Sequence, residues 1–363
     1  VRTCDKNKSI YNHTFQQKVH FSTNHIGLQM KAIGYQHSLP ITDPRSLEDI
    51  ERPKPTASGH DVLVRIEAIS VNPVDTKIRH RVQPDNGEHN VLGWDAAGVV
   101  DAIGEKVTHF NVGDNIWYAG AIDRSGTNAQ YHLVDERIAA KMPTTLNFTH
   151  AAALPLTSIT AWELLFDRFG LTAASTGTLL IIGASGGVGS IMVQLAKKLT
   201  QLTVIGTASR TETQQWVREL GADHVINHHQ SITTQLAEIG HSSIDYIASL
   251  TNTDSHLEAI TEAIAPQGKF GLIDDPEALD IMPFKRKSVS IHWELMFTRS
   301  LFATADMIEQ HRLLTTVAKM IDDGDLQSTL CANFGKINAE NIRKAHALLE
   351  SGASKGKIVL TGF

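Results

Sequence analysis

Cysteine is almost absent from this chain of 363 residues, which holds only Cys4 and Cys331. Two thiols cannot form a disulfide framework or a four-cysteine zinc site, and such sparse use fits a reducing compartment, so a cytoplasmic protein is the expectation. Long apolar runs are missing too. None approaches the roughly 20 residues of a membrane-spanning helix, and no membrane partner is expected. Positive charge is not in excess: 33 Lys and Arg against 39 Asp and Glu give a formal net charge of -6. No basic run is interleaved with aromatics, so a general nucleic-acid binder is not expected. Residues 1–29 lack the apolar core of a signal peptide and are rich in Asn, His, Gln and Lys. They read as a flexible N-terminal extension, either a native arm or a start-site artefact, ahead of a fold that begins at Met30.

What the chain does have is one stretch where pattern and chemistry agree, TLLIIGASGGVGSIMVQLAKKL from Thr178 to Leu199. The apolar run Leu179, Leu180, Ile181 and Ile182 meets Gly183, Ser185, Gly186, Gly187, Val188 and Gly189. After it Ile191, Met192, Leu195 and Leu199 recur at helical spacing, giving strand, turn and helix. Glycine lets a backbone turn tightly and approach a pyrophosphate, whose charge the N–H groups at a helix start accept. Glycines at 183, 186 and 189, with Gly187 added, make a variant of the dinucleotide fingerprint. The next strand ends at Ala208, Ser209 and Arg210, about 20 residues on, where an NAD-selective site carries Asp or Glu. A hydroxyl followed by a guanidinium suits a 2′-phosphate instead, so the expected cofactor is NADPH; the plain alternative is an exposed arginine at a strand end.

Around this stretch the chain is long enough for two domains. From Lys31 short alternating segments, among them DVLVRIEAISV, describe a small, mostly β domain closed like a barrel. Thr149 to Gly170 reads as one or two linking helices, in which Thr157 is either a packing residue or a cofactor contact. Strands and helices then alternate to VSIHW, as in a doubly wound parallel sheet of an α/β domain. The residues just past its strand ends, Leu250, Leu272, Ile273, His292 and Trp293, face either a ligand or the sheet core. Phe302 to Ile321 reads as a helix and Asp325 to Leu330 as a strand. Asn338 to Leu349 reads as a capped helix, and the closing GKIVLTGF as a strand returning to the first domain. The expected division is 30–155 plus 325–363 for the β domain and 156–324 for the NADPH-binding Rossmann domain.

The ordered motifs SVNPVDTKIR, VLGWDAAGVV, VGD, LPLTSITAWELL, IIGASGGVGS and KIVL resemble the medium-chain dehydrogenase/reductase superfamily. The likeness runs from about Met30 to the C-terminus. Within the superfamily the chain resembles the quinone oxidoreductase-like branch and its zinc-type alcohol dehydrogenase-like proteins, to which HWELMFTRSLFATADMIEQHRLL also belongs. The resemblance implies a chaperonin-10-like domain, a Rossmann domain, a cofactor in the cleft between them and a homodimer. It also implies where zinc-dependent members hold their metal. They place a cysteine at the start of the motif matching Asn72 to Asp75, and Gly-His-Glu where this chain has Gly93, Trp94 and Asp95. The cysteine-rich structural zinc lobe is missing from the segment around Gly104 to Ser125. Tryptophan offers zinc no donor, so no metal is expected.

Without a Lewis acid, oxidation of an unactivated alcohol loses its usual support, whereas hydride transfer to a quinone or an α,β-unsaturated carbonyl asks less. The expected enzyme is a zinc-independent NADPH-dependent reductase of such substrates. A zinc-dependent alcohol dehydrogenase, and an NADPH-binding sensor or RNA-binding protein with little catalysis, are the alternatives. Five residues are candidates for shaping the reaction site. Asn72 either orients the nicotinamide ribose or substrate oxygen or stabilises a turn, and Asp75 is an active-site group or a structural partner. Trp94 forms an apolar wall at the abandoned metal position. Tyr118 is the proton donor by chemistry or a core tyrosine, and His292 either donates a proton, holds the cofactor or packs.

Overall fold

Five successive residues, Thr178–Ile182, are all buried, a pattern that a strand reaches when both its faces are covered. In the computed structural model, which describes residues 28–363 except Asn86, this strand (β1) lies inside a six-stranded sheet. The sheet is built by alternation: β1, α1 (Gly187–Leu199), β2 (Thr203–Thr207), α2 (Thr211–Glu219), β3 (His224–Ile226), α3 (Ile232–Glu238), β4 (Ile244–Ser249), α4 (Thr253–Ala263), β5 (Ile264–Leu272) and β6 (Ser290–Trp293). All neighbouring strands are parallel, in the order β3-β2-β1-β4-β5-β6. The order reverses between β1 and β4, the place where open α/β sheets leave a crevice at their carboxyl ends. Leu180, Ile182, Ile247, Phe270 and Leu272 form one core layer with Leu236 and Ile260 from the helices. Phe284 closes that layer by stacking on Phe270, with ring centroids 5.4 Å apart. This Rossmann-like sheet is the one expected from the sequence.

The chain divides into two compact units, and this sheet belongs to the unit formed by Leu156–Met296 and Asp323–Thr329. The other unit holds the described residues up to Pro155 with Phe297–Asp322 and Leu330–Phe363. Its organising strand is Asp61–Val71, buried at eight of eleven positions because it is paired on both sides. Asp95–Ile103 pairs along one edge; Tyr131–Asp135 and the C-terminal strand Lys357–Thr361 share the other. The ladder continues through Asn115–Ala119 to Ala139–Lys141 at one end and Leu330–Asn333 at the other. Among the described residues it is therefore an open path and not the closed ring expected from the strand spacing. Register shifts at Leu63/Val64 and Ile66/Ala68 bend the long strand and let it change partners instead. A three-stranded sheet of Glu48–Pro53, Gln29–Tyr35 and Asn90–Val91 completes this GroES-like β unit.

The expectation for residues 1–29 falls outside the described residues except at Leu28 and Gln29, where the fold already begins: Leu28 O accepts from Lys54 N at 2.7 Å and Gln29 opens a strand. Two further expectations shift. The segment Phe302 to Ile321, read as one helix, is helical only from Glu309, as Glu309–Asp322, and it lies in the β unit although it was expected with the nucleotide sheet. His311 Nδ1 donates to Ala139 O at 2.6 Å, and Asp322 accepts from the Thr144 and Thr145 N–H groups. Helical periodicity shows that Leu313, Leu314 and Val317 must be covered; it does not say by which sheet. The strand expected at Asp325 to Leu330 begins only at Leu330. Before it, the Gln194 side chain pairs with the Gln327 backbone, accepting at 2.8 Å and donating at 3.3 Å, and takes the place of a strand partner.

Candidate functional site

The carboxyl end of β1 is where the nucleotide unit departs from regular structure. Gly183 takes φ +85°, and its N–H donates to Thr207 Oγ1 at 3.0 Å, which ties the turn to β2. A Cβ on Gly189 would sit 2.5 Å from both Gly183 O and Ala184 Cα, so only glycine lets α1 pack this close to the turn. Gly186 is the N-cap of α1 in extended conformation, and no side chain caps the helix. The N–H groups of Gly187, Val188 and Gly189 thus belong to a first turn that has no intrahelical acceptor and carries the positive end of the dipole. Ser185 lies beside them, its carbonyl 3.5 Å from Ser190 Oγ.

The other expected cofactor residues spread along the same edge. Leu250 follows β4 and donates its N–H to Ile182 O at 3.1 Å; Ile273 follows β5 and donates to Ser249 O at 3.3 Å. Leu272 is buried in the sheet core, and its ladder partner Trp293 is 54% exposed. His292 sits edge-on to Phe169, centroids 5.7 Å apart, with its Nε2 buried and unpartnered. Burial, then Lys269 and Arg168, push its imidazole below the ordinary value, so it stays neutral at pH 7. Past β2, Ser209 is half-buried while Arg210 caps α2 with an exposed guanidinium, 3.6 Å from Glu212. Thr157 is buried in the helix Pro155–Trp162; its neighbour Thr160 bonds back to Leu156 O at 2.9 Å, a packing role.

In the β unit the structure brings Asn72 and Asp75 together and adds two residues that the sequence reading left without a role. Asn72 caps the helix Pro73–Arg81, and its N–H donates to Asp75 Oδ2 at 2.6 Å. The Asn72 amide is then spent in two directions: Nδ2 donates to Asp95 Oδ2 at 3.1 Å, and Oδ1 accepts from Lys357 Nζ. Lys357 also donates to Val71 O at 3.1 Å and pairs with Asp95 Oδ2 at 3.1 Å, with both side chains buried. Burial pushes Asp75 up to about 7, against backbone N–H bonds and Lys357 that favour its charge, while nearby Asp95 adds to the rise.

Trp94 and Tyr118 are wholly buried. The Trp94 indole N–H donates to Ala121 O at 3.0 Å, and its ring meets Phe297 edge-on at 6.1 Å. Tyr118 Oη lies 3.0 Å from His132 Nδ1, and His132 Nε2 lies 2.9 Å from Ser125 O. A carbonyl only accepts, so Nε2 carries the imidazole hydrogen and Tyr118 donates to Nδ1. Burial pushes His132 down to about 3 and raises Tyr118 well above the ordinary phenol range. This pair is a core hydrogen bond with no titration near neutrality.

Residues 58–144 match the alcohol dehydrogenase GroES-like domain family and residues 220–360 the zinc-binding dehydrogenase family. A zinc-type alcohol dehydrogenase-like protein of Staphylococcus aureus (strain COL) is 41% identical over 336 residues, covering 91% of this chain and 99% of the relative. The chain belongs to the zinc-type alcohol dehydrogenase-like family. This family lies in the quinone oxidoreductase branch of the medium-chain dehydrogenases/reductases, oxidoreductases that use an NAD(P)H-type cofactor. A crystal structure from Rhizobium etli CFN 42, provisionally described as a zinc-dependent alcohol dehydrogenase, is 54% identical with a TM-score of 0.90, covering 93% of this chain and 99% of that one. The quinone oxidoreductase of Lama guanicoe is 28% identical over 84% of this chain and 90% of its own.

The family name carries zinc, and the residues at the matched ligand positions do not fit that ion. Asn72 has both amide atoms engaged, and Trp94 offers a hydrogen-bond donor in place of a lone pair. The Lys357 ammonium already supplies the positive charge beside Asp95. Among the described residues no group of three or more His, Cys, Asp or Glu is arranged to hold a metal ion. The nucleotide edge does fit its cofactor, with an uncapped helix start for a pyrophosphate and no carboxylate at the residue before α2. Lys357 escaped the sequence reading although KIVL was noted, because a lysine in a terminal strand gives no sign that it returns to a buried aspartate.

Proposed function

We propose that this chain is a zinc-independent, NADPH-dependent reductase of quinones or α,β-unsaturated carbonyls. The observation that carries the reading is the buried Asn72, Asp95 and Lys357 cluster, in which an ammonium pairs with the residues at two of the matched ligand positions. The names of two relatives favour this substrate class. One is the quinone oxidoreductase already described; the other is a tomato 2-methylene-furan-3-one reductase, 35% identical over 48% of this chain and 46% of its own.

In this reading the N–H groups of Gly187, Val188 and Gly189, with Gly183, Ser185 and Gly186 shaping the turn, receive the pyrophosphate. Ser209 and Arg210 receive the 2′-phosphate, with the guanidinium fork matching its oxygens. Leu250, Leu272, Ile273 and Trp293 line the path toward the nicotinamide half, with Thr157 and His292 beside it. When bound, NADPH supplies a hydride to the electrophilic carbon of the substrate, and the charge moves to its carbonyl oxygen. Tyr118 holds its proton against His132 and Asp75 is buried, so the final protonation is assigned to solvent. Trp94 and Asn72 shape the fold of the metal-free position. A homodimer that acts on small molecules in the cytoplasm, without a nucleic-acid partner, completes the proposal.

The test is NADPH oxidation by protein purified without added metal, measured against a panel of quinones and enones alongside its zinc content. Turnover of either class with substoichiometric zinc is the expected result. Tightly held zinc at about one per subunit, with activity lost on chelation, would favour the zinc alcohol dehydrogenase. Tight NADPH binding without turnover would favour the sensor.

A further inference from the structure

The loop after β4 is held at its far end in an unusual way. α4 begins at Thr253, yet the side chain of its N-cap, Asn252, makes no capping bond, and Asn252 itself is left-handed at φ +51° and ψ +40°. A non-glycine residue keeps that conformation where its surroundings over-determine it. Here the surroundings include a carboxyl from another strand end. Asp274, just past β5, accepts from Thr253 N at 2.8 Å and from Thr253 Oγ1 at 2.5 Å, so both its oxygens serve one residue. The Thr253 hydroxyl has one hydrogen and spends it on Asp274, so Ser249 at the end of β4 donates to Thr253 Oγ1 across 2.8 Å. Ser249 and Thr253 are fully buried, and a satisfied polar chain inside a protein rigidifies what it joins.

What this clasp holds is the loop Leu250–Asn252, and the loop lies against the glycine turn. A Cβ on Gly183 would come within 2.9 Å of Thr251 Cγ2 and 3.6 Å of Leu250 Cβ. At one end of the loop Leu250 N–H donates to Ile182 O at 3.1 Å; at the other the clasp anchors Thr253. The loop therefore stands at the strand reversal between β1 and β4, near the uncapped start of α1, with Thr251 and Asn252 exposed. We infer that Thr253 and Asp274 are positioning residues for the coenzyme, which hold Leu250–Asn252 in the shape that walls the glycine turn on its nicotinamide side. This rests on the coenzyme reading above, in which the 2′-phosphate lies past β2 and the rest of the molecule passes Gly183 toward β4 and β5. Both residues act through the loop, and neither touches the coenzyme.

The experiment measures calorimetric binding of NADPH and of adenosine 2′-phosphate to the full chain for wild type, Asp274→Asn, Thr253→Val and Thr253→Ser. Adenosine 2′-phosphate keeps the adenosine and the 2′-phosphate and lacks the pyrophosphate and nicotinamide. Asp274→Asn and Thr253→Val each break the bond from the Thr253 hydroxyl to Asp274, and NADPH affinity should fall about tenfold, the upper range for one lost hydrogen bond. Adenosine 2′-phosphate should bind both variants as it binds wild type. Thr253→Ser keeps the hydroxyl and should bind both ligands normally. Equal losses for the two ligands, NADPH affinity unchanged in either folded variant, or a loss in Thr253→Ser matching that in Thr253→Val would overturn the inference. Should neither variant fold, hydrogen exchange of wild type decides. A Thr253 amide that is slow without coenzyme, with Leu250–Asn252 slowed by NADPH and not by adenosine 2′-phosphate, supports the clasp; a fast Thr253 amide, or equal slowing by both ligands, overturns it. Wild type that binds both ligands while the variants show no selective loss overturns this inference alone. Wild type that binds neither overturns the coenzyme reading as well.

Discussion

The Gly183 turn and the Asn72 cluster treat charge in opposite ways. At the turn the protein leaves the first N–H groups of α1 without a side-chain cap and holds Arg210 at the surface. In the cluster Asn72, Asp95 and Lys357 answer one another inside the β unit. The first region leaves its helix start without a capping side chain; the second has brought its own cation. The contrast explains how one chain keeps the nucleotide chemistry of its family while the matched zinc position no longer suits zinc.

The largest effect should come from breaking the second region. Lys357→Met leaves Asp95 and the Asn72 carbonyl without their buried cation. Removing one partner of a buried pair costs about 3–5 kcal/mol, and urea unfolding should show a loss of this size or no folded protein. A loss under about 1 kcal/mol, the range of exposed pairs, would mean that water reaches the cluster. Breaking the first region should cost binding and spare folding. Arg210→Ala removes one charge-assisted contact, about 1.5–3 kcal/mol, so NADPH affinity should fall about tenfold or more while NADH is little changed. Titration of both coenzymes checks it, and equal losses would remove the 2′-phosphate role.

Legibility in the sequence followed the same divide. The turn was readable because its requirements are local: glycines at a strand end and a helix after them. The alternation of strands and helices likewise revealed the parallel sheet. The cluster was readable only by its absences, Asn72 and Trp94 where ligands are expected, because Lys357 lies 285 residues from Asn72 along the chain. Tyr118 could not be placed as donor or core until His132, 14 residues on in the next strand, was seen beside it. Thr253 and Asp274 were missed for the same reason. Long-range pairs between polar residues leave no periodic trace.

A third prediction sharpens the cluster's electrostatics through Asp75. Burial raises its folded-state value from 3.8 to about 7. The folded protein therefore keeps a proton that the unfolded chain releases above pH 4. The stability from this group is fully present below its unfolded value and lost as pH rises through about 7. Within that window the slope reaches at most about 1.4 kcal/mol per pH unit. Asp75→Asn keeps an acceptor for the Asn72 N–H and removes the titration, so its unfolding free energy should vary less between pH 5 and pH 7. Identical slopes for the two proteins would show that Asp75 is ionised when folded, with Lys357 outweighing burial.

The smallest effect should fall on Tyr118, which lies in the same unit and donates its proton to His132. Tyr118→Phe preserves the ring and its stacking on His132, centroids 5.5 Å apart, and removes only the hydroxyl. His132 Nδ1 is then a buried acceptor without a donor, which costs about 1–3 kcal/mol at full burial and toward the lower end where the pocket relaxes. Turnover with NADPH and a quinone should be unchanged once the variant is folded. A proton donor would behave differently, with the rate lost and stability hardly altered. Measuring unfolding and turnover on the same variant separates the two roles, and a rate loss of about a hundredfold, the low end for general acid catalysis, would return Tyr118 to the reaction. The comparison would then shift, because a group sealed in the β unit would be taking part in the protonation that the proposed function leaves to solvent.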